Sequence, residues 1–525
     1  MTESAPREQI RTAEVIGASC LATDLGMGFP LEHGLHATSV AMRLADLVGV
    51  DAETASQTYY ASLLMYSGCT TDAHVSGPIF KGGLTENITG VQFGSSTETL
   101  PGLVRALSPP GAPAWRRAYE VATGLPKAAI FRKTHFASLC EVAAMLADRL
   151  GLPSRHRDLF LLLTERWDGK GILGRAEGDE IPLPLRIVQV ARDAAYQRLI
   201  GGDEHATETI RSRAGHAFDP DVANLFADVA PDILGAADEG GSVWEAALEA
   251  EPRPWLTLEG EEIDRALAGM GDFADLASPW LSGHAAGVAG SAVAAAEVCG
   301  FDPVEVRRIG RAGHIHDVGR AAVHPGIWQK PGRLSADEWE QVRLHPYHTE
   351  RLLDRSPFLA SLAEIACAHH ERLDGSGYHR GETAMRLSPS ARLLAAADAF
   401  RAMTEPRAHR EALSMRAAAD ALGEEGRAGR LDPEMVAAVL EAAGLPSPHV
   451  ERPAGLTERE GEVVGLLARG LQTKQVAKAL GISIKTADRH VQNAYRKMGV
   501  STRAAATLFA MEHGLVPWGE LPISR

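Results

Sequence analysis

Seven residues on five separate segments have the types and spacing to do chemistry together. His316 and Asp317 are adjacent in "AGHIHDVGRAAVHPGIWQKPG" (312–332), and His369 and His370 are adjacent in "CAHHERLDGSGY". His284, His345 and Asp398 stand alone on three further segments. Imidazoles and carboxylates in an Ala-rich surround are costly to bury unless paired, hydrogen-bonded or bound to metal. A lone histidine there reads as a satisfied core residue, but seven such groups that one fold must gather read as a metal centre. Adjacent residues on a helix point about 100° apart, so His316 and Asp317 can serve two neighbouring metal positions, with Asp317 bridging. His369 and His370 offer the same arrangement. Imidazole mixed with carboxylate suits Fe, Mn or Co rather than Mg or Ca. His314, about 200° round the helix from His316, is left out of the set. His324, His348 and His379 read as surface or supporting residues.

The elements that must position these groups occur twice in the chain. "HGLHATSVAMRLADLVGVD" (33–51) lines up with "HAAGVAGSAVAAAEVCGFD" (284–302), and Asp24-Leu25 with Asp275-Leu276 at the same offset. "TERWDGKGI" (164–172) matches "HERLDGSGY" (370–378), and "AGHAFDPDVANLF" (214–226) matches "AGRLDPEMVAAVL" (428–440). Repetition of order as well as content indicates two copies of one domain, 8–250 and 258–445. Apolar residues recur at three and four, as in Val288, Ala292, Ala295, Ala296 and Cys299, so both copies are expected to be helical. Ser335 and Glu338 form a capping box opening a helix that runs towards His345. A Gly/Ser/Thr/Pro-rich stretch around 75–115 in copy one reads as a loop insertion. Residues 446–454, "PSPHVERPA", read as a linker.

The motif set of copy two resembles the HD-GYP subgroup of HD-domain metal-dependent phosphohydrolases. His284, His316-Asp317, His345, His369-His370, "DGSGY" and Asp398 carry the resemblance, which covers nearly all of 272–445. It implies an all-helical fold and two divalent transition-metal ions, Fe or Mn, held by His284, His316, Asp317, His345, His369, His370 and Asp398. It also implies hydrolysis of a phosphoester of the cyclic dinucleotide class. Asp317 and Arg320 would be the catalytic groups, and Arg320, Gly377, Tyr378, Arg407 and Arg410 would meet the substrate. Several positions depart from the pattern. Trp280 stands where some members carry a third-metal glutamate, so two metals are expected. Arg320 replaces the usual lysine and can fork onto phosphate. His379 follows Gly377-Tyr378, Arg401 replaces an acid, and Ala408-His409 interrupt Arg407 and Arg410. The resemblance therefore carries phosphoester hydrolysis further than it carries cyclic di-GMP as substrate. Copy one keeps His33, Asp168, Asp193 and His135. Met65-Tyr66 stands in place of His316-Asp317, and Leu163-Thr164 in place of His369-His370. Copy one is thus expected to hold no di-metal centre, and to serve as a structural partner or a sensor.

The last segment, 455–520, reads as four short helices. Thr457 with Glu460 caps the first, Gly481 makes a turn, and Ser483 caps a helix over 484–498. Val476, Leu480, Ile482, Ala487, Val491, Ala494 and Met498 form its apolar side. The polar side keeps Lys485, Asp488, Arg489, Gln492, Arg496 and Lys497, with Lys474 on the preceding helix. This is a helix-turn-helix with a recognition helix sized for the major groove. It resembles the LuxR-type DNA-binding domain through "LTERE", "ISIKT" and "KMGVSTR". The resemblance implies bases facing residues 488, 489 and 492, and a dimer contact through the helix beginning near Ser501. Asp488 replaces a common lysine, which predicts modest affinity and an unusual site.

The whole chain is 525 residues with a net charge of −15, yet the segment from Gly455 carries ten Lys/Arg against six Asp/Glu. A basic tail on an acidic body means that only the tail meets DNA. Five scattered cysteines, no apolar N-terminal core in "MTESAPREQI" and no spanning segment lead to the expectation of a cytoplasmic chain with no membrane contact. The fold expected is all-α, with two HD-type domains in tandem and a four-helix LuxR-type tail. The function expected is a homodimeric transcription regulator with a phosphohydrolase core whose partners are duplex DNA and a phosphorylated small molecule. Two other readings stay open, a non-catalytic metal or nucleotide sensor and a phosphodiesterase with an accessory tail.

Overall fold

The computed structural model describes residues 8–68, 79–81, 83, 85–235, 241–446, 453–513 and 515. Their regular secondary structure is almost entirely helical. The only strands among them are Gln9–Arg11 and Thr257–Glu259, paired antiparallel with Ile10 opposite Leu258. Each strand opens one copy of the repeat, so the two copies meet at their first residues, a pairing the helical pattern did not foretell. No helix among the described residues is long and apolar enough to cross a membrane.

The chain divides into two compact units, 1–286 with 314–363 and 407–411, and 287–313 with 364–406 and 412–525. In the first, helix His33–Val48 packs on Ala52–Leu63 and Leu183–Arg213, and Leu183–Arg213 packs on Pro220–Gly235. Leu35, Leu44, Leu63, Phe160, Phe218 and Phe226 are fully buried there. In the second, helix Pro389–Thr404 packs on Met415–Arg427 and Pro433–Ala442. Val288, Ala292, Ala295 and Ala296 are buried as the periodicity predicts, but Cys299 is exposed at the helix end. Cys20, Cys140 and Cys367 are buried free thiols, and Cys69 lies outside the described residues.

One expectation is overturned. The stretch 75–115 is not a plain loop, because its described part contains helices Thr85–Ile88 and Ser96–Leu107. Ser95 and Glu98 form a capping box, and Leu103, Ala106 and Leu107 provide a packed face. The Gly and Pro content hid that face. Residues 75–78, 82 and 84 of the stretch lie outside the described residues.

The tail folds as the spacing predicts, into helices Glu458–Ala468, Thr473–Ala479, Ile484–Met498 and Arg503–Glu512. Val463, Leu467 and Val476 make one small core with Leu480 and Val491. Val464, Ala468, Ala494 and Ala510 make the other with Met498.

Candidate metal centre and DNA-binding tail

His284 is the first residue of helix His284–Val298. Asp275 fixes that helix start by accepting the amide of Ala285 at 3.0 Å. Burial raises the Asp275 pKa to about 6. His316 and Asp317 do not lie on a helix as the sequence suggested. Helix Pro303–Ile315 ends just before them, and they occupy the turn into the 3-10 segment Val318–Ala322. The physical reason is the tight approach behind them, where a Cβ on Gly319 would sit 2.2 Å from the carbonyl oxygen of His345. Thr349 locks the turn, donating to the His316 carbonyl at 3.1 Å and accepting from the Gly319 amide at 3.0 Å. The orientation of the pair is therefore set by turn geometry and not by helical rotation.

Three imidazoles converge on the Asp317 carboxylate. His316 Nε2 is 2.8 Å away, His345 Nε2 3.1 Å and His284 Nε2 3.6 Å, with every one of these side chains buried. Burial opposes ionisation of Asp317, but the charge of Arg320 and the imidazoles outweigh it and hold its pKa well below the carboxylate range. His345 sends Nδ1 to the carbonyl of Val342 at 2.6 Å. That carbonyl belongs to the last turn of helix Ala336–Arg343, where such groups lack helical partners. A carbonyl only accepts, so Nδ1 carries the proton and Nε2 of the neutral ring presents a lone pair. Either a proton on Nε2 or a cation held between the lone pair and the carboxylate satisfies this contact. The donor set thus fits a divalent transition metal.

Arg320 is buried against the same carboxylate, 2.6 Å from Asp317, with His284 Nε2 at 3.5 Å and the Trp328 ring at 5.3 Å. Arg407 donates to the Trp280 carbonyl at 2.7 Å and lies 3.4 Å from His284 Nδ1. Its backbone pairs with that of Arg410. Two of the arginines expected at a phosphate therefore surround His284. Trp280 is half-exposed and offers no carboxylate.

The second unit holds the other three candidates. His369 and His370 also fall in a turn, past the end of helix Pro357–Ala366. His369 repeats the device of His345, with Nδ1 on the Ala366 carbonyl at 2.7 Å. The His369 and His370 rings are 4.2 Å apart, and His370 lies 3.8 Å from Asp398 and 4.6 Å from the Tyr378 ring. Gly377 has no room for a side chain, since a Cβ would fall 2.5 Å from the Arg372 amide. Glu371, which the sequence reading passed over, is buried and accepts the amides of Arg380 and Glu382, both at 2.8 Å, so it shapes this loop. Thr349, Asp275 and Glu371 were all missed. Only Asp275 left a signal, its repetition at Asp24. Arg401 pairs with Glu405 at 3.1 Å and lies against Gly287. His314 has its pKa lowered by burial, and His324 is exposed and caps the short helix Pro325–Trp328.

In copy one the carboxylates are occupied by arginines. Asp168 takes a two-pronged contact from Arg166 at 3.0 and 3.1 Å. Asp193 meets Arg213 at 2.5 Å and Gln197 at 3.2 Å. His135 stacks on Phe131 with ring centres 4.6 Å apart. His33 opens its helix as His284 does, and Asp24 accepts the Gly34 amide as Asp275 accepts that of Ala285.

In the tail, Lys474, Lys485, Asp488, Arg489, Gln492 and Arg496 are exposed. Asp488 accepts from Gln492 at 3.2 Å. Lys497 is also exposed and donates to Glu460 at 2.6 Å and to the Gly455 carbonyl at 2.8 Å.

Residues 270–435 match the model of the HD domain, and residues 454–510 match that of the bacterial regulatory proteins of the luxR family. The chain carries an HD domain followed by a luxR-type DNA-binding domain. It is 31% identical over 287 residues to the 3'3'-cGAMP-specific phosphodiesterase 3 of Vibrio cholerae serotype O1, covering 54% of this chain and 62% of that protein. It is 35% identical over 216 residues to the cyclic di-GMP phosphodiesterase response regulator RpfG of Xanthomonas campestris pv. campestris, covering 40% and 56%. The chain thus spans less than two thirds of the length of these relatives. A crystal structure of a cyclic GMP-AMP specific phosphodiesterase from V. cholerae shares the fold, with a TM-score of 0.57 at 23% identity over 84% of this chain and 99% of that one.

Proposed function

We propose that the chain is a cyclic dinucleotide phosphodiesterase whose turnover or occupancy is coupled to transcription through its DNA-binding tail. The observation that carries this reading is the convergence of three buried imidazoles on Asp317. We propose further that His284, His316, Asp317, His345, His369, His370 and Asp398 are the ligands of two divalent ions, Fe or Mn. When bound, such ions lower the pKa of water and neutralise phosphate charge. The chain's own groups do the rest. Asp317 is held ionised, and His345 and His369 are fixed in the ligand tautomer by helix-end carbonyls. Arg320, with Arg407 and Arg410 nearby, supplies cationic donors for phosphate. Gly377 and Tyr378 form the loop that would meet the nucleotide. The relatives named for 3',3'-cGAMP and cyclic di-GMP support this substrate class.

In the tail, Lys474 and Lys485 would contact phosphates, and Asp488, Arg489 and Gln492 would read bases, with Arg496 beside them. A homodimer would set two tails on paired half-sites. The test is incubation of metal-reconstituted full-length protein with each dinucleotide, followed by separation of the products. Linear products from wild type and none from Asp317→Ala support the proposal. Intact substrate with metal-loaded wild type refutes it.

A further inference from the structure

Copy one has lost the groups for a metal but has kept a cation of its own. In copy two, Arg320 ends on the Asp317 carboxylate beside His284. In copy one, Arg192 reaches the corresponding neighbourhood from helix Leu183–Arg213, beside His33, Gly34 and Asp24. Where copy two has Asp317, it finds Tyr66, and its guanidinium lies over that ring at 4.8 Å. With Tyr in place of Asp, no carboxylate from this position faces the guanidinium. Arg192 is fully buried, and neither its Nε nor its Nη1 makes a hydrogen bond among the described residues. The same is true of Nε2 of the buried His33. Asp24 lies close by, but both its oxygens accept the Gly34 amide. Cys20 and Asp24 lie against the guanidinium but leave Nε and Nη1 without an acceptor; buried donors left so are unfavourable, and the fork matches two oxygens of a phosphate. Phe29 and Tyr196 pack on His33 with ring centres 4.9 and 6.2 Å away. Half-buried Gln92 donates to the Tyr66 hydroxyl at 3.3 Å.

We propose that this remnant site binds a phosphate oxyanion without metal, with Arg192 as the cation and His33 Nε2 as a second donor. The ligand is inorganic phosphate or a phosphate carried by a small molecule. The proposal does not depend on turnover in copy two, and its test removes that site from the measurement. Full-length Asp317→Ala protein, washed with chelator and held in a buffer free of oxyanions, is titrated with inorganic phosphate by calorimetry and by thermal shift. Saturable binding and a rise in Tm are expected. Arg192→Met in the same background should abolish both. It should fold, because an apolar side chain of similar length removes the cost of burying the charge. Arg192→Lys keeps the charge but not the fork, and should weaken binding at least tenfold. Displacement of bound phosphate by cyclic di-GMP would assign the oxyanion to a nucleotide, and its retention would assign it to free phosphate. No saturable binding in the folded Asp317→Ala protein, or undiminished binding in Arg192→Met, overturns the proposal.

Discussion

At the scale of single residues, the proposed function rests on Asp317, which the sequence already singled out. Its neighbour His316, its place in a chain-local motif and the company of five other ligand types were all visible without a fold. What the sequence could not show is how orientation is achieved. The carbonyls of Val342 and Ala366 that fix two imidazoles are backbone groups, and any residue type supplies them. Thr349 left no trace because a threonine on a helix has many bland uses. Asp317→Ala should therefore lose most bound metal, read by elemental analysis of protein reconstituted without oxygen. Thr349→Val should keep the fold but weaken metal binding by roughly 10–100-fold, as loss of a supporting contact does, read by chelator competition.

Asp24 gives a second prediction at this scale. Burial raises its pKa to about 7, against the lowering effects of Arg192 and the Gly34 amide. A carboxyl whose folded pKa lies above its unfolded value contributes its stability fully below the unfolded value, near pH 4. That contribution is lost as pH rises through about 7. Copy one should therefore be less stable at pH 8 than at pH 5 by on the order of 2 kcal/mol from this group. Asp24→Asn should flatten that dependence in thermal melts, and an unchanged slope would refute the assignment.

At the scale of elements, the tail was legible almost residue by residue. Its helices are short, each begins at a side-chain cap, and the core alternates within a few residues. The metal-site elements were less so. Helical periodicity continued through His316 and His369 in sequence, but close backbone approach at Gly319 ended the helix earlier in the first case. The strand pair joining the two copies is three residues on each side and carries no periodic signal. Lys497 was grouped with the DNA-facing residues because of its charge. Its tie to Glu460, itself part of the first helix's capping box, gives it a further contact within the tail. Lys474→Ala and Lys485→Ala should each reduce the salt dependence of DNA binding, lowering the slope by about 0.9 per contact. Lys497→Ala should leave the slope unchanged and lower the tail's melting temperature. Asp488→Lys should raise affinity for general DNA by about 1 kcal/mol and shift the preferred site. Binding titrations at two salt concentrations with full-length variants check all four.

At the scale of the whole molecule, duplication followed by divergence organises the chain. The repeat was readable because ordered matches survived in both copies, down to the aspartate that caps each histidine-bearing helix. The fate of copy one was readable only in part. The lost ligands could be counted in the sequence. The arginines now paired with its remaining carboxylates, Arg166 with Asp168 and Arg213 with Asp193, come from contacts that spacing does not reveal. Those pairs predict that copy one adds no stoichiometric metal to the full-length protein. The central claim is that copy two is a metal-dependent phosphodiesterase centre built on Asp317. The most direct measurement follows hydrolysis of 3',3'-cGAMP and cyclic di-GMP by full-length protein reconstituted with Fe or Mn, beside Asp317→Ala treated in the same way. The account predicts linear dinucleotide from wild type, with about two ions bound, and none from the variant. Wild type that binds two ions and leaves both substrates intact would contradict it.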